Sequence, residues 1–258
     1  MPRRVLIIIF VFLFVLSPFS FSLPLENFSK AETIINYKNI TADTTWDLSG
    51  SPYVVYMDDI TISEGATLTI KPGVIVKLAQ RSIIVMGKLN VQGEVDDPVV
   101  FTSANDDVRG GKSIELSSGL PEAGDWGSIE TEGGELTINQ AIINYGGLGV
   151  TIEVLKNNLF HLNTALANSY YKTGAVAVGF YGGKINISNS EIANNIIGVL
   201  VHEHEYDYEN QNIISNSRIF NNNLGGVLNY GTSQIQATNN WWGSNTGPHN
   251  LNFNPNGQ

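Results

Sequence analysis

The chain has 258 residues, 42% hydrophobic and only 15% charged, which is enough apolar material for a packed core in one elongated domain. A net charge of −10 excludes the basic footprint of a nucleic-acid binder and gives no attraction to an anionic membrane. The absence of cysteine excludes a disulfide framework and the thiol of a bacterial lipoprotein anchor.

In chain order, residues 1–22 have the form of a secretory signal peptide. Arg3 and Arg4 are followed by an unbroken apolar run from Val5 to Leu16, too short for an ordinary membrane span. Ser20 and Ser22 are the small residues of a cleavage site after Ser22. The alternative is an uncleaved anchor or a buried strand. Loss of Arg3 and Arg4 takes the net charge from −10 to −12. The expected location is extracytoplasmic, either secreted or cell-envelope. Residues 23–39 read as a linker or lead-in segment.

From Ile40 the pattern is short and β-branched. Strands are expected at Tyr53–Met57, Thr67–Ile70, Val74–Leu78, Ile83–Met86, Lys88–Val91 and Val99–Thr102. Glu64-Gly65, Pro72-Gly73, Gln92-Gly93 and Asp97-Pro98 punctuate them as turns. Leu68 and Ile70 recur as Leu89 and Val91 at one common offset. Asp106–Asp125 is irregular and reads as a surface loop extruded from one coil. Strand patterning resumes at Trp126–Ile129 and Glu135–Tyr145, followed by a long coil over about Gly149–Gly182.

The second half repeats itself. Asn189-Ser190 returns as Asn216-Ser217, and Ile192 returns as Ile219 at the same offset. A shorter third copy, Ile235–Trp241, puts Trp241 in the place of Ile219, so Trp241 is expected in the core and Trp242 outside. A unit this short cannot bury its apolar face alone and must stack on the next. Asn-Ser, Asn-Asn and Gly-Gly mark bends that tolerate left-handed backbone. Asparagine rises from 5 in residues 23–134 to 18 in residues 183–258, as stacked amide ladders require. The expected fold is all-β, a single right-handed parallel β-helix over residues 40–243, with 244–258 as a tail or weak cap.

Two blocks resemble a known family. Thr45-Trp-Asp-Leu48, Pro52-Tyr-Val-Val55, Glu64–Lys77, Asp97–Ser103 and Gly124–Gly127 resemble the opening of secreted prokaryotic right-handed β-helix proteins, the pectin-lyase-like superfamily in the broad sense. Asn239–Pro248 resembles the segment that closes such helices. The superfamily holds pectate lyases, polygalacturonases, adhesins and surface proteins, so the resemblance implies a fold and leaves the activity open.

A pectate lyase of that kind uses calcium held by acids and an arginine base. Arg109 beside Asp106 and Asp107 is the one matching arrangement; the alternative is a solvated loop. The Gly-His-Gly and Arg-x-Lys motifs of a polygalacturonase are absent. Asp58-Asp59 and Asp96-Asp97 are adjacent pairs, which cannot converge on one sugar from one strand face and read as turns. His202 and His204 would share a strand face about 7 Å apart and, with a nearby acid, could hold a divalent transition metal. No other cofactor is evident. Trp242, Tyr206, Tyr208 and Tyr230 could form a stacking platform for sugar rings, or Trp242 an apolar lid on the last coil. Three Asn-x-Ser/Thr triplets, at Asn27, Asn39 and Asn186, carry meaning only in a host that glycosylates them.

The expected function is a non-catalytic, secreted or cell-envelope scaffold that presents a lateral surface to glycans or cell surfaces. The alternatives are a polysaccharide lyase or glycoside hydrolase, and a metal-binding envelope protein. The expected partner is a polysaccharide or cell-surface glycan, with no nucleic acid and no stable membrane span after cleavage. The chain is expected to be a monomer or part of a longer chain.

Overall fold

The computed structural model describes residues 32–113, 117–147, 174–178, 182–201, 212–229 and 234–248. The signal-peptide assignment and most of the expected coil over 149–182 lie outside these residues.

Among the described residues, seven coils of three strands each are stacked. The first holds β1 (Thr33–Ile35), β2 (Asn39–Ile40) and β3 (Thr44–Trp46). The second holds β4 (Tyr53–Val55), β5 (Ile60–Ile62) and β6 (Thr67–Ile70), and the third β7 (Ile75–Leu78), β8 (Ile83–Val85) and β9 (Lys88–Gln92). Then come β10 (Val99–Ser103), β11 (Ile129–Thr131) and β12 (Glu135–Asn139), followed by β13 (Ala141–Asn144), β14 (Gly174–Val178) and β15 (Lys184–Ser188). The sixth coil is β16 (Glu191–Ala193), β17 (Ile197–Val201) and β18 (Asn212–Ser215), and the seventh β19 (Arg218–Phe220), β20 (Gly225–Asn229) and β21 (Ile235–Thr238).

Every third strand pairs in parallel, giving three seven-stranded sheets: A begins with β1, B with β2 and C with β3. This is a parallel β-solenoid, as the repeats imply. The solenoid starts earlier than Ile40, because β1 already pairs with β4 inside the segment assigned to a linker.

Alternation explains the strands. In sheet C, Leu68, Leu89, Leu136 and Ile185 stack inward in register while Thr69, Asn90, Thr137 and Asn186 face out. In sheet A an inward column runs Tyr53, Val76, Phe101, Ile143, Ile192, Ile219. The offset between Ile192 and Ile219 is therefore one turn of the solenoid. At the amino-terminal end Trp46 stacks on Tyr53 at 4.7 Å, and further along Trp126 is fully buried with Nε1 donating to the Asn144 carbonyl (2.8 Å).

The asparagine dipeptides have a divided role. The first residue makes the bend: Asn189, Asn194, Asn216, Asn221 and Asn239 all have φ between 51° and 58°. The second turns inward and bridges coils. Ser190 Oγ accepts from Ala141 N (3.1 Å), Ser217 Oγ from Ser190 N (3.2 Å), and Asn240 Oδ1 from Ser217 N (2.9 Å). At the next corner Asn195 Nδ2 donates to Asn222 Oδ1 (3.0 Å), which is the expected amide ladder. These side chains satisfy backbone groups at corners, where strand pairing stops. Gly225-Gly226 differs from expectation. It lies within β20, and a Cβ on Gly226 would stand 2.9 Å from Ile219 Cγ2, so glycine is needed there for space and not for a bend.

Candidate functional site

The segment from Ala104 to Ser128, as far as it is described, folds back over the outer face of sheet A. A Cβ on Gly110 would lie 3.3 Å from Ile75 Cδ1 and from Pro52 Cβ. Beneath it Lys77 and Thr102, neighbours on β7 and β10, are fully buried. Lys77 Nζ donates to the Gly111 carbonyl. Thr102 Oγ1 donates to Asp106 Oδ2 (2.7 Å), and Asp106 Oδ1 accepts from the backbone N–H of Val108 (3.1 Å) and Arg109 (3.2 Å). Arg109 Nε stands 3.9 Å from Asp106 Oδ2. Burial pushes the Lys77 ammonium below its ordinary pKa, against the attraction of Asp106, Asp107 and Glu32. Asp125 ties the far end, its Oδ2 accepting from Ser103 Oγ (2.5 Å), Asn105 Nδ2 (3.1 Å) and Glu122 N (3.0 Å).

Most described residues of the loop are partly or wholly exposed to solvent, as expected, but its first residue is not: Asp106 is 4% exposed and anchors the segment as a strap. Of the groups that suggested acid–base chemistry, Asp106 is spent on holding backbone and Asp107 accepts from Ser117 Oγ, and Asp106 and Lys77 are closed to solvent. The adjacent acid pairs lie in the connections between strands, with Asp58, Asp96 and Asp97 in bends. Asp59 Oδ1 accepts from Ser82 N (2.8 Å) and Asp58 pairs with Lys38 (3.7 Å), while the Asp97 carbonyl accepts from Gly73 N (2.9 Å).

The uncovered part of sheet A's outer face carries a different arrangement. On β19, Ile219 points inward while Arg218 and Phe220 point out. Trp241 pairs beside Arg218 as an isolated parallel bridge and takes an outward position, 40% exposed. The Phe220 and Trp241 rings meet edge to face at 5.2 Å. The Arg218 guanidinium lies 5.1 Å from the centre of the Phe220 ring and 5.2 Å from that of Trp241, while its Nη1 reaches Glu191 Oε2 at 3.1 Å. The result is an aromatic platform edged by one cation and one carboxylate.

This reverses the two tryptophans. The repeat predicts Trp241 in the core column; instead Trp242 follows Ile219, half-buried against the core and packed over Gly226. The cause is one residue of register. The bridge sets Trp241 beside Arg218, not beside Ile219, and a slip of one turns every side chain to the opposite face. The signal was present in the sequence: aligning Asn240 with the bridging Ser217 gives the observed register directly. His202, His204, Tyr206, Tyr208 and Tyr230 lie outside the described residues. Among the described residues no three His, Cys, Asp or Glu side chains gather as a metal site.

No protein-family model, no curated protein and no solved structure matches this chain.

Proposed function

We propose that the chain is an exported, non-catalytic β-solenoid that recognises glycans on its lateral surface, near the carboxy-terminal end of sheet A. The observation that carries this reading is the outward Trp241, with Phe220 at its edge and the Arg218–Glu191 pair beside it. The apolar C–H face of a sugar ring stacks on an open indole, and the ring hydroxyls need a donor and an acceptor at its rim. Arg218 supplies the first and Glu191 the second. A rigid stack of coils holds all four groups without ordering a loop, which lowers the entropic cost of binding. Membership of the pectin-lyase-like superfamily is the finer family reading, and it rests on the sequence blocks quoted above.

The test is a glycan array probed with the full chain and with Trp241→Ala, run beside a lyase assay for unsaturated uronides with and without calcium. Saturable binding that Trp241→Ala abolishes, without uronide release, is the expected result. Turnover in the lyase assay, or array binding that Trp241→Ala leaves intact, overturns it.

A further inference from the structure

We infer that the outer face of sheet C docks an ordered, uncharged polysaccharide surface, an inference that rests on the glycan reading above and narrows its ligand. The middle outward column of this sheet runs in unbroken register through all seven coils, from Thr45 to Gln236. Its inner members are Thr69, Asn90, Thr137 and Asn186. A second column beside it continues Gln92, Asn139 and Ser188 to Thr238. Neither stretch contains a charged residue, in a chain whose net charge is −10. Charges stand at the edges: Lys71, on the coil before Gln92, donates its Nζ to Gln92 Oε1 (2.8 Å), and the third column carries Lys88, Glu135 and Lys184, with Lys88 Nζ at 2.9 Å from Glu135 Oε2.

The spacing is set by the fold. Coils repeat every ~4.8 Å along the axis, and outward residues on one strand recur every ~6.6 Å across it. The face is thus a two-dimensional lattice of hydroxyls and amides, interrupted at Ile213, in which Gln92 and Asn139 already accept from Lys71 and from Ser188 and Asn189. Such a lattice suits few partners. A protein interface wants aromatic, Met and Arg anchors at its centre, and the only apolar residue in the middle column is Ile213. A soluble oligosaccharide would meet only a few groups, and single exposed hydrogen bonds contribute little net. A solid surface of parallel, hydroxyl-bearing chains engages many at once, so weak contacts add as avidity. An anionic polymer would approach an acidic chain whose cations on this face stand only at its edges, Lys71 already donating to Gln92 and Lys88 paired with Glu135.

The experiment is sedimentation of the full chain with microcrystalline cellulose and with chitin, comparing the wild type with Thr137→Asp and Thr61→Asp. Thr137 is exposed at the centre of the face, and Thr61 is an outward position on sheet B that provides the same change of charge elsewhere. Retention on either polymer is expected, weakened about tenfold by Thr137→Asp because an unpaired carboxylate must be desolvated against the surface, and unchanged by Thr61→Asp. No retention of the wild type on either polymer overturns the inference, as does equal retention of the two variants. If Trp241-dependent array binding persists in that case, the glycan reading stands and only its extension to sheet C fails. Polymer retention without array binding would keep the sheet C face and remove the Trp241 platform.

Discussion

Asn195 is the residue on which the asparagine-bridge argument can be tested most severely. It is fully buried between coils. Its Oδ1 accepts from Gly146 N at 2.7 Å, and its Nδ2 donates to the Ile143 carbonyl and to Asn222 Oδ1, each at 3.0 Å. Asn195→Ala removes all three at once. The buried Gly146 N–H is left without its acceptor, at about 1–3 kcal/mol, and the other bonds add about 0.5–1.5 kcal/mol each before water enters the space left behind. We expect a net loss of about 3 kcal/mol, which in a chain of this size lowers the melting temperature by roughly 6–12 °C. Asn222→Ala removes the shared bond from the other side, together with an acceptance from the Asn195 backbone N–H (3.1 Å) and a donation to the Ile192 carbonyl (3.1 Å), but Asn222 is only half-buried and water can replace it. Its expected cost is about 1–2 kcal/mol. Because the two side chains share a bond, the double variant should lose less than the sum of the singles. Urea unfolding gives the free energies, and amide exchange at Gly146 gives the local effect. If Asn222→Ala costs more than Asn195→Ala, or Gly146 exchange does not change in Asn195→Ala, the inward asparagines do not bridge the coils as described.

Three further outcomes are expected. Ile219→Asp places an unpaired carboxylate at a 1% exposed position of the inner column and should cost several kcal/mol, so an unchanged melting temperature would remove Ile219 from the core. Trp242→Ala should cost about 2 kcal/mol, short of the value for a fully buried tryptophan, and Trp241→Ala about 1 kcal/mol through its contacts with Phe220 and Arg218, so the reverse order in thermal unfolding would restore Trp241 to the core column. Burial lowers the pKa of Lys77 in the folded chain below that of the unfolded one, so between the two values the unfolded state binds more protons and stability rises with pH. Tyr53, whose pKa burial raises, acts in the opposite direction above about pH 10, so the comparison is between wild type and Lys77→Met. Their stability difference should change on the alkaline side, with the wild type gaining, and parallel pH profiles would show that Lys77 is not desolvated.

The inside of this solenoid is open to reading from the sequence and much of its outside is not. Leu68 and Ile70 recurring as Leu89 and Val91 report directly on stacked strands, because inward positions must be apolar on every coil and must alternate. Asn189 and Asn216 are legible as bends for a similar reason, since few residues tolerate φ near 51°. The inward role of Ser190, Ser217 and Asn240 escapes the sequence reading, although their spacing carries the register. The strap escapes for another reason. Nothing in Asp106–Asp125 is periodic, and what fixes it is a pair of outward residues, Lys77 and Thr102, that different coils contribute and that only the fold makes neighbours.

That difference bears on where a solenoid can carry function. Stacking constrains the inward columns, and a polar group is tolerated there only when it bridges coils. Outward positions are free of that demand, so they can hold a platform such as Phe220 and Trp241 or a lattice such as Thr69, Asn90, Thr137 and Asn186. Identity at an outward position then says little until parity is fixed. The coil that ends at Asn240 is shorter than the one before it, but by an even number of residues, so its parity is kept and can be counted from the bridging residues Ser217 and Asn240. That count decides which of two adjacent tryptophans closes the core and which one meets the solvent. The platform lies where the repeat length changes, and its residues can be assigned only from the bridging residue of that coil, Asn240.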